Sequence, residues 1–110
     1  MKNEYGVTLD SNGYAASILT NIGQCAYCGR MDRALQRHEA FHGAYRKKSK
    51  ELGCWLLLCN VCHDELHHKD AEIDRDIKEY MQRKAMQHYG WSVDDFRQRF
   101  GKNYLEEEDE

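Results

Sequence analysis

Two pairs of cysteines constrain the fold of this chain more than any other feature. Cys25 and Cys28 form one CxxC pair, Cys59 and Cys62 form the other, and 30 residues separate the two pairs. Two such pairs can supply the four thiolates of a tetrahedral structural zinc site, which stabilises a small fold. Two unrelated thiol pairs and a redox-active CxxC are the alternatives, although redox chemistry does not need a second pair. The spacing therefore favours a zinc-stabilised core.

Chain size and cysteine usage agree with this interpretation. The sequence has 110 residues, of which 41% are hydrophobic, so we expect one domain whose small core needs help from a metal or a partner. The first residues have no apolar export segment, and no apolar run approaches the roughly 20 residues of a membrane helix. We therefore expect a cytoplasmic protein without a membrane association, in which cysteines bind metal more readily than they form disulfides. The fifth cysteine, Cys54, is expected to be a buried strand residue.

The hydrophobic pattern predicts a small α+β fold. Short strands are expected at 34–38 and 53–59, and a short helix is expected from His63. Apolar residues at helical spacing predict a long helix within 71–89, and Ser92 is a predicted N-cap for a last helix that ends at Gly101. The face of the long helix comprises Ile73, Ile77, Tyr80, Met81 and Ala85.

Four segments are predicted along the chain. Residues 1–22 form an N-terminal arm, and residues 23–70 form the zinc-stabilised core. Residues 71–105 form a helical extension that packs on the core. Residues 106–110, with the sequence EEEDE, form an acidic tail that we expect to be disordered.

Histidines suggest a second metal site. His63 and His67 are four residues apart, so a helix would project both imidazoles from one face, as in helical zinc sites. Two solvated helix histidines are the alternative, and His68 and His88 are expected to be solvent-exposed. A further ligand would come from elsewhere in the chain, and the segment LQRHEAFHGAYRKKS at residues 35–49 contains two more histidines, His38 and His42.

These motifs together resemble the HNH, or ββα-metal, nucleases that have a treble-clef zinc site. The resembling segments are CAYCG, LQRHEAFHGAYRKKS, LCNVCH and FGKNYLEEE, and NGYAASIL resembles the arm of small phage-encoded HNH-like proteins. The resemblance spans residues 12–105, and the double CxxC with its following histidine is the most specific part. It implies an HNH treble-clef core with a C-terminal helical extension.

The resemblance also implies roles for individual residues. His38, His63 and His67 would bind a catalytic divalent metal, which would be Mg²⁺, Mn²⁺, Ni²⁺ or Zn²⁺. Glu39 occupies the position of the general-base histidine, and Tyr45 lies near the position of the asparagine that orients that base. Glu39 would then act as a weak base or as an extra metal ligand. His42 would reach the water instead if the chain turns at Gly43, and a loop residue without a role is its alternative.

Basic residues around this segment are candidates for nucleic-acid binding. The net charge of −3 hides a segregated pattern, because residues 30–50 contain seven Lys or Arg and only two Asp or Glu. Such residues would contact phosphates without reading sequence, and a solvated basic loop is the alternative. The candidates are Arg37, Arg46, Lys47, Lys48 and Lys50.

The sequence thus leads to three functional hypotheses. The first is a metal-dependent endonuclease that cleaves double-stranded DNA during phage DNA processing in a bacterial cytoplasm. The second is a catalytically degenerate HNH-fold protein that binds nucleic acid or a protein partner, because Glu39 and Tyr45 replace the base and the asparagine. The third is a zinc-stabilised adaptor with no second metal.

Overall fold

A computed structural model describes residues 1–20, 23–68 and 71–105 of the chain. The fold is small and α+β, as predicted. Its elements are strand β1 (Leu35–Glu39), a 3₁₀ turn (Gly43–Tyr45), helix α1 (Arg46–Glu51), strand β2 (Trp55–Cys59), and helices α2 (Asn60–His68), α3 (Ala71–Tyr89) and α4 (Val93–Phe100). The acidic tail predicted at 106–110 lies outside the described residues.

The two strands form an antiparallel sheet that sets the position of the histidine segment. Leu35 pairs with Cys59 and His38 pairs with Leu56, so the end of β2 lies beside the start of β1. Strand β2 is buried along most of its apolar sequence, whereas β1 buries His38 and exposes Arg37. Successive side chains of a strand point to opposite faces, so His38 and Glu39 face different sides of the sheet.

The second strand begins later than the sequence predicted. Gly53 has φ of 72°, and a Cβ there would collide with the carbonyl oxygen of Ala16, so this position turns the chain before the strand begins. Cys54 is buried, as predicted, but it precedes β2 and does not belong to it. Its backbone amide donates to the Ser49 carbonyl oxygen at 2.8 Å, and the Ser49 hydroxyl donates back to the Cys54 carbonyl at 2.7 Å.

Helix α3 matches the predicted boundaries and most of the predicted face. Ile73, Ile77, Met81 and Ala85 are buried, at the helical spacing that the sequence showed. Tyr80 was placed wrongly on this face, since it is 45% exposed. The helix ends at Tyr89, and the amide of Trp91 donates to the Met86 carbonyl at 3.0 Å across a glycine with positive φ, which is the Schellman arrangement.

Helix α4 confirms the predicted N-cap at Ser92, which forms a capping box with Asp95. The Ser92 hydroxyl accepts from the Asp95 amide, and the Asp95 carboxylate accepts from the Ser92 amide. Its buried residues Phe96 and Phe100 pack on Phe41, with ring centroids 5.2 and 4.4 Å from the Phe41 ring. This aromatic contact joins the last helix to the segment that follows β1.

The N-terminal residues contact the sheet through backbone and side-chain hydrogen bonds. The Trp55 indole donates to the Ala15 carbonyl at 2.7 Å, and the Ser17 hydroxyl donates to the Trp55 carbonyl at 2.8 Å. The Ala15 amide donates to the Lys50 carbonyl at 2.9 Å, which ties the same segment to α1. Among the described helices, none is long and apolar enough to cross a membrane.

Candidate metal sites

The fold brings the four cysteines of the two CxxC pairs together. Their sulfur atoms lie within 4.8 Å of one another, although the pairs are far apart in sequence. Cys59 ends β2 and Cys62 lies in the first turn of α2, while Cys25 and Cys28 flank a tight turn before β1. The four cysteines could therefore hold a zinc ion, as the spacing predicted.

The sulfur geometry fits a tetrahedral ion. The Sγ atoms of Cys28 and Cys59 are 3.8 Å apart, and Zn–S bonds of about 2.3 Å in a tetrahedron place sulfurs about 3.8 Å apart. A disulfide would require about 2.05 Å, and all five cysteines are free thiols. In each pair the amide of the second cysteine donates to the first sulfur, at 3.5 Å for Cys28 to Cys25 and 3.4 Å for Cys62 to Cys59.

Neighbouring donors favour ionisation of part of this group. Burial raises the pKa of Cys59, but the Cys62 amide and the Arg33 guanidinium outweigh it and lower that pKa to about 6. The Arg33 Nη1 atom lies 3.6 Å from the Cys59 sulfur. A thiolate is the form that binds metal, so these donors suit Cys59 to ligation.

Three histidines form a second group. The ring nitrogens of His38, His63 and His67 lie within 4.8 Å of one another, and the Nε2 atoms of His63 and His67 are 3.3 Å apart. His38 comes from β1 and the other two come from α2, one turn apart. The structure thus assembles the three residues that the resemblance assigned to a divalent metal.

The central member of this group is the buried one. His38 is 5% exposed, and its Nε2 atom is buried without a hydrogen-bond partner among the described residues. Burial and the neighbouring His63 and His42 lower the pKa of His38 to about 4, so its ring is neutral and able to donate a lone pair. A buried ring nitrogen without a partner is costly, and coordination of its lone pair to a metal would satisfy it. The donor set therefore fits a divalent ion.

The remaining face of this group is open. A cleft of about 660 Å³ lies beside His63 and His67 and is also lined by Gln36 and Asn60. The carboxylates of Asp64 and Glu65 lie at its edge. Water and a ligand can therefore approach two of the three imidazoles, as a metal site that keeps exchangeable positions requires.

Glu39 does not join the histidine group. Its Oε2 atom accepts a hydrogen bond from the Tyr14 hydroxyl, and its Oε1 atom accepts from Arg46 Nε at 3.0 Å. Burial raises the pKa of Glu39, but the Tyr14 hydrogen bond and the Arg46 charge hold it below its ordinary value. Glu39 is therefore a fixed carboxylate of low basicity, with both oxygens engaged. Because Tyr14 and Arg46 engage both oxygens, this geometry does not support the expectation that Glu39 is an extra metal ligand.

His42 and Tyr45 occupy different environments. The His42 Nε2 atom is 2.9 Å from the Asp74 Oδ1 atom of α3, and the ring stands 5.9 Å from that of His38. Tyr45 packs on Phe100, and its ring approaches Gly101 closely enough to exclude any Cβ there. No sequence signal pointed to Asp74, because its relation to His42 depends on the packing of α3.

The basic residues at 46–50 lie on a helix, which corrects the alternative that they form a solvated loop. Residues 46–51 form α1, because the chain turns at Gly43, where φ is 69°, and continues into a helical segment. Lys47 is 88% exposed along its side chain and forms an ion pair with Glu51 at 3.6 Å on the same helix, and Arg46 is paired with Glu39. Arg37 and Lys50 instead lie over the Tyr14 ring, at 4.0 and 4.8 Å from its centroid. Lys48 is partly buried within the same helix.

Comparison of the chain with protein-family models gives no match, and comparisons with curated proteins and with solved structures give none either.

Proposed function

We propose that this chain is a metal-dependent HNH-type endonuclease that hydrolyses phosphodiester bonds of double-stranded DNA. The observation that carries the proposal is the grouping of His38, His63 and His67, in which His38 is buried and its Nε2 atom has no hydrogen-bond partner among the described residues. Three imidazoles with an open side are the kind of donor set that catalytic metal sites use.

The treble-clef frame belongs to the same proposal. The second CxxC pair ends β2 and begins α2, so zinc bound by the four cysteines would fix the start of the helix that carries His63 and His67. A divalent ion bound by the three imidazoles would supply positive charge for the scissile phosphate and the leaving oxygen. The chain itself would orient the ion through His38, hold the DNA backbone through α1, and exclude water from the buried side of the site.

The distribution of positive charge supports a polyanionic substrate. Helix α1 exposes Lys47 and lies directly after the segment that contains His38 and His42. Side chains of this kind bind phosphates with little dependence on base sequence and with strong dependence on salt. Arg37 and Arg46 are also exposed, although they pair with the carboxylates of Asp10 and Glu39.

The test is a plasmid-cleavage assay with a panel of Mg²⁺, Mn²⁺, Ni²⁺ and Zn²⁺. The wild-type chain is expected to nick or cut the plasmid with at least one metal, and His38→Ala is expected to lose activity. His88→Ala is the matched control, because it removes an exposed imidazole of α3 that lies outside the histidine group. Intact plasmid under every metal, or equal cleavage by His38→Ala, would contradict the proposal.

A second candidate function is a catalytically degenerate binding protein of the same fold. The observation that favours it is the state of Glu39, whose oxygens are engaged by Tyr14 and Arg46 and whose pKa lies below its ordinary value. Loss of a general base typically reduces rate about 10²- to 10⁴-fold, so residual cleavage would be slow. In this case Glu39→His would gain activity over the wild type, and Glu39→Gln would change only binding. Abolished cleavage in Glu39→Gln would instead make Glu39 the base.

A further inference from the structure

The contact between His42 and Asp74 is outside both groups of candidate metal ligands. Their side-chain atoms Nε2 and Oδ1 are 2.9 Å apart, although the residues are 32 positions apart in sequence. His42 comes immediately after the segment that follows β1, and Asp74 comes from the first turn of α3. The side chain of His42 remains 45% exposed, so its second nitrogen can meet solvent or a bound substrate.

Both carboxylate oxygens of Asp74 contact a neighbouring nitrogen. Oδ1 faces His42, and Oδ2 accepts from Lys78 Nζ at 2.8 Å one helical turn away. Burial raises the pKa of Asp74, but the hydrogen bonds from Lys78 and His42 outweigh it and keep that pKa below its ordinary value. The carboxylate is therefore ionised at neutral pH and accepts the Nε2 proton of the imidazole. In the neutral ring this leaves Nδ1 as the acceptor.

The pair of His42 and Asp74 lies beside the three-histidine group. The ring centroid of His42 is 5.9 Å from that of His38, which is closer than the 6.2 Å between His38 and His67. The nitrogens of His42 nevertheless do not belong to the set that lies within 4.8 Å. His42 thus stands at the edge of the group as a neighbour, and its nitrogen bonded to Asp74 cannot serve as a ligand at the same time.

Glu39 and His42 differ in how many of their polar side-chain atoms are engaged by neighbouring residues. Both of its oxygens are engaged by Tyr14 and Arg46, whereas one nitrogen of His42 stays available. An imidazole fixed by a carboxylate is the arrangement in which histidine takes a proton from a nucleophile, because the carboxylate orients the ring and stabilises its charged form. The pair therefore has the chemistry that the Glu39 position lacks.

We propose that Asp74 positions His42 and that His42 Nδ1 is the general base that takes a proton from the attacking water. This assignment rests on the proposed phosphodiester hydrolysis. The water oxygen forms a bond to phosphorus, and its proton passes to Nδ1. The bond from phosphorus to the leaving nucleoside oxygen breaks, and that oxygen takes a proton from solvent. His42 then returns its proton to solvent, so atoms and charge balance.

The kinetic test compares His42→Ala, Asp74→Asn and Asp76→Asn with the wild-type chain. Asp76 is the matched control, because it lies on the same helix and accepts a hydrogen bond from Tyr27 at 3.2 Å, away from His42. We expect His42→Ala to lower kcat about 10²- to 10⁴-fold, with KM and bound metal unchanged. Asp74→Asn should also lower kcat, by up to about 10⁴-fold, because it removes the carboxylate that orients the ring. Added imidazole should restore part of the His42→Ala rate and none of the His38→Ala rate.

A structural readout tests the positioning role without any cleavage. Nitrogen NMR of the histidine rings, with His42 assigned from the His42→Gln variant, reports which nitrogen carries the proton. The wild-type chain should hold its proton on Nε2, Asp74→Asn should give a mixture of the two forms, and Asp76→Asn should resemble the wild type. An unchanged ring in Asp74→Asn would overturn the positioning role.

The outcomes separate this inference from the proposed function. Cleavage by wild type and by His42→Ala at equal rates, with His38→Ala inactive, would refute only the role of His42. Loss of bound metal in His42→Ala would also refute it, because it would make His42 a ligand. A wild-type chain that cleaves nothing under any metal would refute the proposed function and the base assignment together.

Discussion

Removal of a single buried sulfur from two different cysteines tests whether the four-cysteine group holds zinc. Cys59 and Cys54 are both fully buried, and both are free thiols, but only Cys59 belongs to the group. Cys59→Ala and Cys54→Ala therefore delete the same atom from comparable surroundings. The difference between the two variants isolates the contribution of the metal from the contribution of packing.

The expected magnitudes differ widely. Deleting one buried heavy atom costs about 1 kcal/mol for the lost transfer free energy and the small cavity, so Cys54→Ala should lower Tm by about 4–8 °C. Cys59→Ala incurs the same packing loss and also removes one of four zinc ligands. Structural zinc contributes about 10–16 kcal/mol of apparent binding free energy, whereas a domain of this size has about 5–15 kcal/mol of stability. We therefore expect Cys59→Ala to be largely unfolded, or to melt far below Cys54→Ala.

The assay must distinguish the cysteine group from the histidine group, which can bind zinc as well. Both variants are therefore made in a His38→Ala background, and total zinc is measured in purified protein. Replacement by Co²⁺ adds a specific signal, since thiolate-to-cobalt charge transfer reports only the cysteine site. We expect one zinc ion and the cobalt band in Cys54→Ala, and neither in Cys59→Ala. Equal zinc content and equal Tm for the two variants would refute the reasoning.

Three other predictions concern the cap of α4 and the basic helix α1. Ser92→Ala should lower the free energy of unfolding by about 1 kcal/mol in a urea titration, because it removes the hydroxyl that accepts from the Asp95 amide. The Ser92 amide and hydroxyl hold the pKa of Asp95 below its ordinary value of 3.8. The difference in the free energy of unfolding between wild type and Asp95→Asn should therefore be present at neutral pH. It should disappear as pH falls through the lowered pKa, because the protonated carboxyl loses its charge. A gap that persists in acid would contradict this. Lys47→Gln should weaken DNA binding and reduce the slope of log affinity against log salt by about 1, whereas Lys84→Gln, on α3, should leave that slope unchanged.

Features with a local cause were predictable from the sequence. The four-cysteine group followed from the two CxxC spacings, because each pair brackets one tight turn and zinc needs both pairs. The α4 cap followed from Ser92 and Asp95, three residues apart, and the start and end of that helix agree with the structure. The association of His63 with His67 also followed, because residues four apart on a helix share a face.

Features that depend on packing between distant segments were not predictable. Glu39 was assigned a base or ligand role, but its environment is set by Tyr14 from the N-terminal arm and by Arg46 from α1. The helix at residues 46–51 was not predicted, because a basic run carries no apolar periodicity. The contact between His42 and Asp74 requires α3 to lie against the segment after β1, and that packing has no local pattern in the sequence.

The sheet and α2 connect the four-cysteine group with the three-histidine group. Leu35 pairs with Cys59, and His38 lies three residues further along β1, or about 10 Å away at about 3.3 Å per residue. His63 directly follows Cys62, so it lies next to the four-cysteine group near the start of α2. A metal held by the cysteines would therefore fix both elements that carry the histidines, and the imidazoles would lose little further freedom when they bind their own ion. On this argument, loss of zinc weakens the histidine site even though no histidine changes, whereas loss of His38 leaves the cysteine site intact.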